Sequence, residues 1–199
     1  METFLEKAAS HIFHKHSIHQ LSNICIVIPS RRGVLYFKQA IANQADAPFL
    51  APDVMAIDDF VMNVTGLKQI DPVALLFELY DVFKTIDPLV VFERFMTWAP
   101  TLLNDFDKID QYLVDPKKLF SFMSEAKALE RWQMQLGESQ RDRLKSTERT
   151  DRYFKLFENI HEVYNLLQAR LREKGLVYRG MAYRELAEHV DTYLLDNPQ

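Results

Sequence analysis

Pro29-Ser30-Arg31-Arg32-Gly33 stands between an apolar run, Ile24 to Ile28, and a stretch of helical spacing that begins near Val34. Many nucleotide-binding folds place a phosphate at such a turn. The first amides of a helix have no internal acceptor, and guanidiniums beside them add charge-assisted contacts. Ser30, Arg31, Arg32 and Gly33 are therefore the candidate residues for holding a phosphate. The same turn reads equally well as a solvated basic helix start.

Other constellations are weaker. A Walker loop needs G-x-x-x-x-G-K-[ST], and Gly175 and Gly180 have the spacing, but Met181 and Ala182 stand in the Lys and Ser/Thr places and no strand precedes them. That stretch reads as a helix-capping glycine and a turn. His11, His14, His16 and His19 crowd together, yet no carboxylate or thiol completes a metal-ligand spacing, so a His-rich polar helix end is expected. Cys25 lies inside the apolar run and reads as a small buried hydrophobe. Asp105, Asp107, Asp110 and Asp115 fail the EF-hand template, since Ile109 occupies a ligand position; Leu102, Leu103, Phe106, Ile109 and Leu113 supply a buried side, which makes the carboxylates a solvated acidic face. No catalytic residues, cofactor or metal site are expected.

The elements that must position the turn follow from periodicity. A helix spans about Thr3 to Ser17. Ile24 to Ile28 is a continuous apolar run that predicts a strand buried on both faces. A helix from about Val34 to Gln44 turns Val34, Leu35, Phe37, Ala40 and Ile41 inward. A second strand, Val54 to Ile57, leads to a helix capped by Asp58 and ended by Gly66. Strand, helix, strand at this spacing is a βαβ unit. From Asp71 the pattern is helical throughout, with Asp71-Pro72 and Asp115-Pro116 as start signals, a break at Pro100, and a helix after Pro116 to about Leu136. The longest element, about Glu148 to Lys174, carries a heptad seam of Tyr153, Phe157, Ile160, Tyr164, Leu167 and Leu171, and Gly175 ends it. A last helix is expected over about Met181 to Leu195. The expected fold is helix-dominated α/β, residues 1–70 forming the α/β part and 71–199 a helical bundle.

The 199 residues are 48% apolar and 26% charged, with no run near the roughly 20 apolar residues of a membrane helix, so no membrane partner is expected. The start lacks the basic and apolar regions of a secretory signal, and one cysteine makes no internal disulfide, which together suggest a cytoplasmic location. The net charge of −4 is uneven. Residues 58–115 hold four basic and eleven acidic groups, whereas 1–57 hold five and four and the remainder fifteen and thirteen. That is not the composition of a free-standing nucleic-acid binder, so any such contact would be local.

Six segments in order, "FLEKAASHIF", "ICIVIPSRRGVLYFKQAI", "APDVMAIDDFV", "DPVALLFELYDVF", "LLNDFDKIDQYLVDPKKLF" and "GLVYRGMAYRELAE", resemble the N-terminal region of AddB-type helicase-nuclease subunits, in particular the large PD-(D/E)XK nuclease family proteins of Bacteroidetes. The resemblance implies the first domain of a UvrD-like helicase, here an inactive ATPase domain with a helical-bundle insertion, in a protein of DNA repair and DNA recombination. It implies that Ile24 to Ile41 corresponds to the segment after the Walker strand, whose turn touches the DNA backbone at Ser30, Arg31, Arg32 and Gly33. The helix of residues 3–17 stands where the Walker strand and loop belong, so ATP binding is not expected. The implied partners are single-stranded DNA, bound weakly, the C-terminal remainder of a longer exonuclease subunit, and a helicase partner subunit.

Overall fold

The computed structural model describes residues 2–123 and 159–196. The chain divides into two compact units, one running to Gly66 and taking in the segment from Leu186, the other Leu67–Glu185. The expected boundary after residue 70 lies just past this one, and the final segment, read with the helical part, groups with the first unit. Helices dominate, and no described helix is long and apolar enough to cross a membrane.

In the first unit α1 (Phe4–Lys15) opens with a capping box. The Thr3 hydroxyl accepts from the Glu6 amide at 3.3 Å, and the Glu6 carboxylate accepts from the Thr3 amide at 2.6 Å, which holds that carboxyl below its ordinary pKa. A 3₁₀ turn, Ile18–Asn23, leads to β1 (Cys25–Ile28), α2 (Arg31–Gln44), β2 (Asp53–Ala56) and α3 (Ile57–Thr65). β1 and β2 pair in parallel, with Ile28 opposite Ala56, so the expected βαβ unit is present. Ala9, Phe37, Ala40, Ile41 and Val54 form its buried core, joined by Ile26, Ile28 and Val34. Gln44 fastens α2 to α1, its Nε2 donating to the Glu6 carbonyl at 2.9 Å and the Ser10 hydroxyl at 2.7 Å.

Three local expectations are corrected. β1 is not buried on both faces: Ile26 and Ile28 enter the core while Val27, on the opposite face, is 38% exposed, and among the described residues β1 bonds to β2 alone. Leu35 does not turn inward but is 67% exposed, because α2 begins at Arg31 and its buried stripe runs through Phe37, Ala40 and Ile41. Asp58 is not the cap of α3. Ala56 holds that position, and Asp58 and Asp59 fall in the first turn. Gly66 does end α3, at φ 67°, where a Cβ would be strained.

The second unit holds β3 (Lys68–Gln69), α4 (Pro72–Ile86), α5 (Phe92–Phe95), α6 (Ala99–Gln111), the described parts of α7 (116–123) and α8 (159–173), β4 (Leu176–Val177) and most of α9 (Arg179–Glu188). β3 and β4 pair in parallel, contrary to the expectation of helices alone; two residues carry no readable period. Asp71 caps α4 as expected, accepting from the Val73 and Ala74 amides at 2.8 and 3.2 Å, and Asp115 accepts from the Lys118 amide at 3.1 Å. Ile160, Tyr164, Leu167 and Leu171 of the heptad seam are buried, whereas Tyr153 and Phe157 lie outside the described residues, as does the predicted end of α7 at Leu136. Rings of Tyr80, Phe83, Phe95 and Trp98 pack at 5.0–5.9 Å, and Phe106, Phe120 and Tyr164 form a second aromatic group. The expected last helix is two, α9 and α10 (Val190–Asp196), interrupted at His189.

α6 ends in a Schellman turn. The Val114 amide donates to the Ile109 carbonyl at 2.9 Å and the Leu113 amide to the Asp110 carbonyl at 3.1 Å, with Leu113 left-handed at φ 53°. A leucine there is strained where glycine would not be, and it is half exposed. Leu113→Gly is expected to raise stability by about 1 kcal/mol in urea unfolding, the left-handed backbone cost outweighing the little burial lost.

Candidate functional site

The Ser30–Gly33 turn is built by the strand before it and the helix after it. β1 closes at Ile28, Pro29 removes a donor, and Ser30 takes extended backbone (φ −144°, ψ 147°) as the N-cap of α2, its Oγ accepting from the Gly33 amide at 3.1 Å. The Ser30 side chain thus serves the helix. Gly33 is explained the same way: a Cβ there would lie 2.9 Å from Ile28 Cγ2 and 3.3 Å from Ser30 Oγ, so glycine lets the first turn of α2 approach β1. The first two amides of α2, those of Arg31 and Arg32, have no acceptor within the helix and face the end of the turn.

Arg31 is already engaged. Its Nε donates to both oxygens of Asp59 at 3.1 Å and its Nη2 to Oδ1 at 2.6 Å, a forked pair spanning 28 residues of sequence. The hydrogen bonds from Arg31 hold the Asp59 carboxyl below its ordinary range, and those to Asp59 raise the guanidinium further. The side chains are 78% and 38% exposed, so the pair is open to solvent and can exchange Asp59 for another oxyanion. Arg32 is exposed and has no ion pair with a described residue. Of the two arginines at this turn, Arg31 is tethered and Arg32 has no ion-pair partner among the described residues, because the α3 carboxylate that reaches the turn, Asp59, forks onto Arg31.

The remaining sequence candidates resolve as structure. Among the described residues no three His, Cys, Asp or Glu side chains are placed to hold a metal. Cys25 is half-buried, and burial, then Asp53, pushes its thiol pKa up, away from nucleophilic character. The expected solvated acidic face is corrected at Asp110, which is fully buried. Arg184 Nε donates to its Oδ1 at 2.7 Å and Gln168 Nε2 to its Oδ2 at 2.9 Å, while the Tyr164 and Tyr178 hydroxyls donate to the two oxygens in turn. Arg184 Nη2 also reaches the Ile109 and Val114 carbonyls at 3.0 and 2.6 Å, clamping the end of α6. Asp107 accepts from the Gly180 amide at 2.5 Å, and a Cβ at Gly180 would sit 2.0 Å from the Asp107 carbonyl oxygen. Gly180 is therefore a contact between α9 and α6, not the turn glycine its spacing suggested. The polar members Tyr164, Gln168, Tyr178 and Arg184 are scattered over 21 residues, and Tyr164 reads as an apolar seam position in the periodicity.

No protein-family model matches the chain, and no curated protein matches it.

Two outcomes follow from the buried group. Asp110→Ala strands an arginine whose side chain is only 12% exposed, and unfolding free energy should fall by about 3–5 kcal/mol. Burial first, then Asp110, raises the phenol pKa of both Tyr164 and Tyr178. Because the folded values exceed the unfolded ones, the stability from these phenols is intact below pH 10 and declines as pH rises beyond it. Ultraviolet titration should therefore find two of the eight tyrosines un-ionised past that point until the protein unfolds.

Proposed function

We propose that the chain is a non-catalytic, helicase-like N-terminal domain of a DNA repair and recombination helicase-nuclease, giving DNA-backbone and subunit contacts within a longer protein. One observation carries this reading: the start of the 14-residue helix α2 presents exposed Arg31 and Arg32 at the carboxyl end of parallel strands, the end at which open α/β sheets receive ligands. The chemistry that suits guanidiniums beside helix amides is a phosphate, and contacts of this kind position a strand without reading its bases. The resemblance of the six sequence segments supplies DNA as the source of that phosphate. Subunit contacts would be made with the remainder of the parent protein and with a helicase partner.

A helical protein-interaction scaffold without DNA binding is the second reading. It is favoured by Tyr112, Leu113 and Phe122 in the second unit, which are 73%, 50% and 70% exposed. The heptad seam no longer supports it, since its four described members are buried.

Fluorescence anisotropy with a short labelled oligonucleotide, begun at low salt, separates the two. With Arg31 neutralised by Asp59, the logarithm of affinity should fall with log salt at a slope near about −0.7, one phosphate's share. Asp59→Asn should release the second cation and steepen the slope to about −1.4. If the Arg31→Ala, Arg32→Ala double mutant binds as the wild type does, the scaffold reading replaces the DNA one. Calorimetric titration with ATP and Mg²⁺ should give no saturable heat, because no Gly-rich Lys loop is present in the sequence; micromolar binding would overturn the inactive-ATPase reading.

A further inference from the structure

No further inference is drawn: the strongest candidate, the apolar cavity of about 500 Å³ in the second unit lined by Phe83, Phe95, Trp98, Leu102, Met123 and Ile160, carries nothing, because nothing in the structure shows what covers it.

Discussion

Parallel pairing of β1 with β2 is the constraint from which the candidate site follows. Parallel strands need a crossover, here α2, and their register sets Ile28 beside Ala56, so both strand-to-helix junctions come to one end of the sheet. The first turns of α2 and α3 are thereby neighbours, and Arg31 meets Asp59. An antiparallel partner would place the two junctions at opposite ends and leave both arginines unpaired. The carboxylates of α3 also sit where its own helix dipole favours them, so Asp59 is held from two sides. Gly33 completes the geometry by letting the helix start lie close against the strand end.

The second unit rests on a different device. A buried carboxylate is costly unless its lone pairs are filled, and Asp110 has donors from α8, from the residue after β4, and from α9. Each donor belongs to a segment far from α6 in sequence. Partial satisfaction would be worse than an apolar core, so the network favours the one arrangement in which all four donors arrive together. Outside it, Glu78 gathers Lys174 and Arg170, whose hydrogen bonds, Lys174 first, lower its carboxyl pKa and tie α4 to α8.

Local signals were legible where local chemistry decides. The Asp71-Pro72 cap, the left-handed glycines 66 and 175, the strand–helix–strand unit and the α2 stripe through Phe37, Ala40 and Ile41 all depend on residues within a few positions of one another. The misses share a cause in long-range partners. Asp110 looks solvated beside Asp105 and Asp107 until Arg184, 74 residues on, is folded against it. Tyr164 reads as a seam residue from its heptad spacing, and its ring is indeed buried, while its hydroxyl is committed to Asp110. Arg31 looked free because Asp59 comes near it only through the strand register, and β3 and β4 are too short for any period. The candidate turn was therefore visible as to place and residue type, and its charge balance was not.

On the proposed reading, a DNA backbone would meet this chain at the start of α2. Backbone amide shift mapping, with a short single-stranded oligonucleotide titrated into isotope-labelled protein at low salt, tests it residue by residue. The largest shifts are expected at the amides of Arg31, Arg32 and Gly33, with a smaller response at Asp59 as its pairing loosens. Saturable shifts confined to other surfaces, with those four signals unmoved, would contradict it.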